Sequence, residues 1–229
     1  MYLTLDIGNT KTKFVRFSEE GAVLESGIAE TLPDTGGCKA LGVANVGDAN
    51  TDFSAAKCPV FSISHRAKLP FSMAYQTPET LGADRLAAVV GAAFLFPGKD
   101  ILVADAGTCL KFELLKNNVY HGGSIAPGLM MRYKALKAFT QRLPEIEHHN
   151  FDSLLGNTTE TAILSGVQAG FLKEVSGRIS SFQEETDGLQ VVITGGDAPF
   201  LAERLKTKIF AEPLLVHYGL YHTLRLNGY

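Results

Sequence analysis

Apolar residues recur along this chain in short runs, and each run ends at turn-forming residues. Runs of this length bounded by Gly, Pro, Asn or Asp are typical of buried β-strands. Gly21 marks the turn after the second run. The runs that predict strands cover residues 2–6, 13–17, 40–46, 60–63, 101–105, 111–115, 120–125 and 189–194.

Longer apolar and Ala-rich segments predict helices between these strands. The clearest covers residues 84–96; it opens on an acidic residue, which complements the helix dipole, and stops at Pro97-Gly98. Further helices are predicted at 129–139, 158–182 and 198–206. Since strands and helices alternate, the sequence predicts α/β layers. The segment after residue 206 is predicted only to pack against the rest.

One turn motif occurs in both halves of the chain, each time after an apolar strand. Residues 6–14 read Asp-Ile-Gly-Asn-Thr-Lys-Thr-Lys-Phe, and residues 105–112 read Asp-Ala-Gly-Thr-Cys-Leu-Lys-Phe. With a one-residue gap opposite Asn9, the Asp, Gly, Thr, Lys and Phe positions coincide. Glycine lets backbone N–H groups approach a ligand, Thr adds a hydroxyl, and Asp suits a hydrated cation. Two such turns predict phosphate binding from two sides; the alternative is two unrelated β-turns.

The composition is that of an ordinary globular enzyme. The 229 residues are 45% hydrophobic and 20% charged, and the net charge is −3. This charge gives no reason to expect nucleic acid as a partner. The three cysteines have no paired spacing and are expected to be reduced thiols. No apolar run reaches the length of about 18 residues that spans a membrane. We expect a cytoplasmic protein with no membrane partner.

Asp84 and Arg85 are adjacent charged residues at the start of the predicted apolar helix. The carboxylate suits acceptance of a proton from a substrate hydroxyl, and the guanidinium suits bidentate binding of an anion. The alternative is structural: a favourable charge at the helix start and a surface ion pair. Position in the sequence alone leaves both interpretations open.

Taken together and in order, these short motifs resemble type III pantothenate kinases. The motifs are residues 6–10, Tyr75 ahead of Pro78, residues 82–85, 105–108, 122–128 and 194–197. The resemblance implies an α/β fold of two ribonuclease-H-like domains of the actin/hexokinase-like ATPase superfamily, with a nucleotide cleft between them. We expect the halves to be residues 1–100 and 101–229. The implied reaction is transfer of the ATP γ-phosphoryl group to pantothenate, the first step of coenzyme A synthesis.

The resemblance also implies roles for individual residues. Asp84 is the implied proton acceptor and lies in the implied substrate-binding set, Tyr75, Gly82, Ala83, Asp84, Arg85 and Thr159, with Thr158 as the alternative to Thr159. The implied nucleotide-binding residues are Asp6, Gly8, Asn9, Thr10, Lys11, Thr12, Lys13 and Thr108. The implied metal ligands are Asp6 for Mg²⁺ and Asp105 for a monovalent cation, K⁺ or NH₄⁺. A homodimer is implied as well.

The sequence departs from the family pattern at two places. Thr77 stands where the family usually has Asn, and Leu110-Lys111 stand where the second turn commonly continues with small residues and Thr. The second departure lies beside the expected cation ligand. Two other functions remain open: a catalytically inactive accessory or regulatory protein on this fold, and a kinase for another small hydroxylated substrate.

Overall fold

The computed structural model describes residues 1–47 and 51–229, which form two mixed β-sheets and five α-helices. The strands are Tyr2–Ile7 (β1), Thr12–Phe17 (β2), Val23–Ala29 (β3), Leu41–Asn45 (β4), Val60–Ser62 (β5), Ser72–Met73 (β6), Ile101–Ala106 (β7), Cys109–Lys116 (β8), Val119–Pro127 (β9), Gln190–Thr194 (β10) and Phe210–Ala211 (β11). The helices are Ala83–Leu95 (α1), Leu129–Ala138 (α2), Thr159–Glu185 (α3), Ala198–Arg204 (α4) and Leu215–Leu226 (α5).

The strand order within the sheets is β3-β2-β1-β4-β5 in one and β11-β10-β7-β8-β9-β6 in the other. In the first sheet, β1 pairs antiparallel with β2 and parallel with β4, with Asp6 opposite Lys13 and Leu5 opposite Val43. The α/β class expected from the sequence is confirmed. Each strand predicted from an apolar run is present within a few residues of its expected bounds.

The chain divides into two compact units. One contains Met1–Ile101, Glu113–Gly122 and Leu214–Tyr229, and the other contains Leu102–Phe112 and Gly123–Pro213. The expected halves, 1–100 and 101–229, remain a proposal about domain organisation. The units differ from them mainly because the C-terminal helix α5 packs in the first unit.

Strand β1 is the centre of the first unit because both of its faces are buried. Leu3, Leu5 and Ile7 project to one face and pack with apolar residues of β4. Tyr2 projects to the other face and packs with β2 and with Tyr221 of α5. Alternate side chains of a strand point to opposite faces, so a strand between two cores carries apolar side chains on both faces. This arrangement leaves the end of β1, at Asp6, as the first half-exposed position.

Helix α1 confirms the helix predicted at 84–96 and explains why it is apolar nearly all round. It packs against α5 so closely that a Cβ atom on Gly219 would lie 1.8 Å from the carbonyl oxygen of Ala87. A Cβ on Gly91 would lie 2.2 Å from the carbonyl oxygen of Leu215. Glycine at both positions lets the two backbones approach. The apolar surface of α1 is therefore covered within its own unit and gives no argument for a partner chain.

Among the strands and α-helices of the described residues, four elements were not predicted from the sequence: strands β3, β6 and β11 and helix α5. Strands β6 and β11 are only two residues long, which is too short to show an apolar run. Strand β3 is an edge strand with exposed side chains, so it lacks the apolar alternation that marks a half-buried strand. Helix α5 lies in the C-terminal segment, which was expected only to pack. No helix among the described residues combines the length and apolar character needed to cross a membrane.

Residue His217 of α5 is a titratable group buried in the core of the first unit. Its Nδ1 lies 2.9 Å from the Thr4 hydroxyl, which itself donates to the carbonyl oxygen of Val15. In that arrangement Nδ1–H donates to Thr4, and Nε2 is buried with no hydrogen-bond partner among the residues described. Burial, and then the charge of Lys13, lowers the pKa of His217 to about 3.

We expect the free energy of unfolding to fall as the pH drops from about 6.5 towards 3. The unfolded chain takes up a proton on His217 near its ordinary pKa, whereas the folded chain does so only near 3. The contribution of His217 to the free energy of unfolding is therefore fully present above pH 6.5. Below that pH it is lost at up to about 1.4 kcal/mol per pH unit. Urea unfolding between pH 4 and 7 measures this slope.

The matched variant is His217→Asn, which keeps a polar atom near the position of Nδ1 but does not titrate. Its unfolding free energy should be lower at pH 7 and should depend less on pH than that of the parent. An unchanged pH slope in His217→Asn would show that other groups cause the acid sensitivity.

Candidate active site

The first turn motif connects β1 to β2 in the first unit. The amide of Gly8 donates to the carbonyl oxygen of Lys11 at 3.2 Å and closes the turn. Asn9, Thr10 and Lys11 are exposed around it, whereas Asp6 at the end of β1 is only half-exposed. A Cβ on Gly47 would lie 2.7 Å from the carbonyl oxygen of Gly8. The backbone at Gly47, just after β4, therefore packs directly against the turn.

A groove of about 410 Å³ adjoins this turn within the first unit and is lined in part by Gly8, Asn9, Thr12 and Gly47. Lys13 lies opposite Asp6 in the hairpin register, and opposite residues of an antiparallel pair project to the same face. The turn thus presents backbone amides, two hydroxyls, a carboxylate and a lysine in one region. These groups suit a phosphate accompanied by a hydrated cation.

The second turn motif connects β7 to β8. Here the amide of Gly107 donates to the carbonyl oxygen of Cys109 at 3.0 Å, so this turn is one residue shorter than the first. Thr108 is exposed, and its carbonyl oxygen accepts from the amide of Gly128 at 3.2 Å. A Cβ on Gly128 would lie 2.0 Å from the carbonyl oxygen of Gly107. The Gly-rich segment ahead of α2 therefore holds the second turn in place.

Asp105, at the end of β7, carries an ion pair that the sequence did not reveal. Its Oδ2 lies 2.6 Å from Nζ of Lys111 on the returning strand β8. Gly195 and Asp197 after β10 lie beside this pair: the Asp197 amide donates to the carbonyl oxygen of Ala106 at 2.8 Å. That amide already makes a hydrogen bond within the second unit. The turn at residues 194–197 therefore stabilises the end of β7.

The Asp197 carboxyl group lies beside the same turn and has a raised pKa. Burial raises its pKa to about 6; the Leu129 backbone N–H opposes this shift, and the charge of Asp105 adds to it. The second turn is thus bordered by two acidic groups and one lysine, all within the second unit.

The start of α1 holds the expected proton acceptor. Gly82 is the N-terminal cap of the helix, and Oδ1 of Asp84 accepts from the Arg85 amide at 2.8 Å. A Cβ on Gly82 would lie 2.8 Å from the same Oδ1. Glycine at 82 therefore leaves room for the Asp84 carboxylate, which is half-exposed and held in one orientation.

Arg85 points into the unit and is bound by a carboxylate of the same chain. Its Nε and Nη2 donate to the two carboxylate oxygens of Glu113 at 2.5 and 2.9 Å. The two side chains are only 7% and 1% exposed. Although burial acts to lower it, the pKa of Arg85 is raised above its usual value by Glu113. Arg85 makes a bidentate contact with a carboxylate of the chain itself, so its expected binding of a substrate anion stays a prediction.

The remaining edge of Arg85 meets two tyrosines. Its Nη1 lies 3.4 Å from the Tyr75 hydroxyl, and its guanidinium lies over the Tyr75 ring, 5.6 Å from the centroid. Tyr120 stacks on Tyr75 and donates to Glu113 at 2.6 Å. Burial, followed by the charge of Glu113, raises the pKa of Tyr120. A Cβ on Gly122, whose φ is +99°, would lie 2.9 Å from the Tyr75 ring.

Sequence reasoning did not find Glu113 and Tyr120, although a signal existed. Glu113 is an acidic residue between the apolar residues Phe112 and Leu114 of β8, and Arg85 is a basic residue in the first turn of the largely apolar helix α1. A charge in a segment expected to be buried requires a partner of opposite sign. Two such charges of opposite sign indicate an ion pair even before the structure is known.

Thr158 and Thr159 have different positions at the start of α3. Thr158 is the N-terminal cap: its hydroxyl accepts from the Thr161 amide at 3.1 Å, and the Thr161 hydroxyl accepts from the Thr158 amide at 3.0 Å. Such a reciprocal cap commits the side chain to the helix. Thr159 is the first helical residue and is exposed.

The chain is similar to known proteins over its whole length. A family model described as type III pantothenate kinase matches residues 43–181. A type III pantothenate kinase of Bacteroides fragilis strain YCH46 is 41% identical, over 100% of this chain and 99% of that protein. One from Cytophaga hutchinsonii is 38% identical, over 99% of this chain and 100% of its own length.

Solved structures support the fold. A Campylobacter jejuni protein assigned to the Baf family of transcriptional activators has a TM-score of 0.65 at 21% identity, with 98% of both chains covered. A Sinorhizobium meliloti protein described as a candidate 2-dehydro-3-deoxygalactonokinase has a TM-score of 0.60 at 16% identity, with the same coverage. The fold is that of the actin/hexokinase-like ATPases. From the family model and the full-length identities, the chain belongs to the type III pantothenate kinase family.

Proposed function

We propose that this chain transfers the γ-phosphoryl group of ATP to the primary hydroxyl group of pantothenate, with Asp84 as the proton acceptor. The hydroxyl oxygen forms a bond to the γ-phosphorus, the bond from that phosphorus to the bridging oxygen of ADP breaks, and the hydroxyl proton passes to Asp84. The products are ADP and 4′-phosphopantothenate. The observation that carries the proposal is the half-exposed Asp84 carboxylate, oriented by the Arg85 amide beside the Tyr75–Arg85–Glu113 cluster.

Phosphoryl transfer needs positioning and charge stabilisation more than covalent participation by the protein. In the proposed roles, the first turn binds phosphate through Asp6, Gly8 and the exposed residues up to Lys13, and the second does so through Thr108. Tyr75 and the segment from Gly82 to Asp84 bind pantothenate. Because Glu113 holds the guanidinium of Arg85, we assign to Arg85 the positioning of Tyr75.

For the remaining substrate-binding position, Thr159 is preferred over Thr158 because the helix cap uses the Thr158 hydroxyl.

The residues at the first turn fit a Mg²⁺ ion that accompanies ATP. Among the described residues, no three His, Cys, Asp or Glu side chains cluster as a metal cage. Mg²⁺ in kinases is usually held by one or two carboxylates, water and the substrate phosphates, so Asp6 alone suffices as the protein ligand. When bound, the ion neutralises charge on the phosphates. We derive no step through a monovalent cation, because the expected ligand Asp105 is already bound by Lys111.

The decisive experiment is an ADP-release assay with pantothenate, glucose and acetate in parallel, with Mg²⁺ and K⁺ present. We expect turnover with pantothenate only, and a phosphorylated product by mass spectrometry. Turnover of glucose or acetate would assign the chain to another substrate. No turnover with any acceptor would favour the accessory role, although both Asp6 and Asp84, which turnover requires, are present.

We further propose a homodimer, and this proposal rests on the family resemblance alone. We also propose a cytoplasmic location, which the three free thiols support. Sedimentation velocity on the same preparations, with activity measured across the dilution series, tests the assembly. A monomer that keeps full activity would contradict the proposed dimer.

A further inference from the structure

The Asp105–Lys111 ion pair lies where the family resemblance implies a monovalent cation. Asp105 ends β7, Lys111 lies on β8, and the turn with Gly107 and Thr108 connects them. Nζ and Oδ2 are 2.6 Å apart, and the two side chains are only 14% and 15% exposed. A charge-assisted contact this short between largely buried groups holds the ammonium on the carboxylate.

The other oxygen of Asp105 faces backbone. A Cβ on Gly195 would lie 2.6 Å from Oδ1, and the φ of Gly195 is +93°. Asp197 is a further charged neighbour: burial, and in addition the charge of Asp105, raises the pKa of Asp197. The Asp105 carboxylate is thus enclosed by the Lys111 ammonium at one oxygen and by the Gly195 backbone at the other.

A free cation on the same carboxylate would compete with Lys111. Two positive charges held on one carboxylate repel each other, and the repulsion is stronger at a largely buried site than in water. The lysine also has the advantage of its tether, which keeps the ammonium at a high local concentration. The groups around Asp105 therefore do not fit a resident K⁺ or NH₄⁺.

We propose that Lys111 supplies, from within the chain, the positive charge that a monovalent cation is expected to provide, so that the reaction does not depend on K⁺ or NH₄⁺. The inference rests on the proposed kinase function. A lysine ammonium carries the same single charge as either ion. Beside the turn formed by Gly107 and Thr108, this charge offsets the negative charge of a bound phosphate. Lys111 is a positioning residue that acts through Asp105 and the turn.

The first test uses the parent protein. Its melting temperature and its rate of pantothenate phosphorylation are measured while KCl or NH₄Cl replaces tetramethylammonium chloride at constant ionic strength. We expect neither quantity to change beyond experimental error, because an ion that does not bind cannot stabilise the fold. Saturable activation by K⁺, or a saturable rise in the melting temperature, would overturn the inference.

The second test uses Lys111→Thr, with Lys116→Thr on the same strand as the matched control. With tetramethylammonium as the cation, Lys111→Thr should be slower on the order of 10²-fold. Added K⁺ or NH₄⁺ should restore its rate and raise its melting temperature saturably. Lys116→Thr should behave like the parent. A Lys111→Thr variant that is fully active without K⁺ would overturn the inference.

These readouts separate this inference from the proposed function. If pantothenate is not phosphorylated under any ionic condition, the kinase proposal fails. The dependence of the melting temperature on K⁺ still shows whether Lys111 occupies the cation position. If Lys111→Thr does not fold, the titrations of the parent protein decide the question alone.

Discussion

Replacing Asp84 with asparagine is expected to lower kcat by about 10²-fold or more, the usual contribution of a positioned acid–base group. Asparagine has nearly the same size and can still accept the hydrogen bond from the Arg85 amide through its Oδ1. The fold around the start of α1 should therefore survive, with a small loss of stability because the charge at the helix start is removed. What the variant loses is the acceptor for the hydroxyl proton of the substrate.

Steady-state kinetics on the purified variant, with ATP and pantothenate varied separately, measure this effect. We expect KM for pantothenate to change much less than kcat, since the Tyr75–Arg85–Glu113 cluster is untouched. The control is Glu79→Gln, an exposed carboxylate in the short 3-10 turn just before α1. It should leave both constants unchanged. A turnover number like that of the parent in Asp84→Asn would remove Asp84 from the mechanism.

Removing the Glu113 carboxylate is expected to lower the free energy of unfolding by about 3–5 kcal/mol, the cost of leaving a buried charge without its partner. Within the part of the chain that the structure describes, Glu113→Ala leaves the Arg85 guanidinium, which is 7% exposed, with two tyrosine hydroxyls 3.4 Å away as hydrogen-bond partners. Urea unfolding measures the loss. The matched control is Glu25→Ala, which removes an Arg16–Glu25 pair whose carboxylate is 56% exposed. That change should cost no more than about 1 kcal/mol.

A double replacement separates stability from substrate binding at this pair. Arg85→Met combined with Glu113→Leu removes both charges and fills the site with apolar groups, which is often neutral for stability. We expect the unfolding free energy to recover most of the loss caused by Glu113→Ala, whereas KM for pantothenate should be higher than in the parent, because Tyr75 loses its contact with the guanidinium. Recovery of both quantities would show that Arg85 has a structural role only.

The local pattern of this sequence already contained eight of the eleven strands of the described residues, helices α1 to α4 and the two turns. Periodicity, turn residues and helix ends act over a few neighbouring positions, so they can be read without knowing the partners. The same holds for the residues proposed at the turns, from Asp6 to Lys13 and at Thr108, because a hairpin places its own turn at its tip. Edge strand β3 was missed because exposure on its faces removes the apolar alternation.

Contacts between distant segments could not be inferred in this way. That α5 covers α1, that Glu113 holds Arg85 and that Thr158 is used by the helix cap depend on which segments meet in space. Even Asp105 and Lys111, six positions apart, form an ion pair because a hairpin folds them together. A charged side chain in a sequence specifies only which kinds of group it can bind. The tertiary structure determines which of these groups lies next to it.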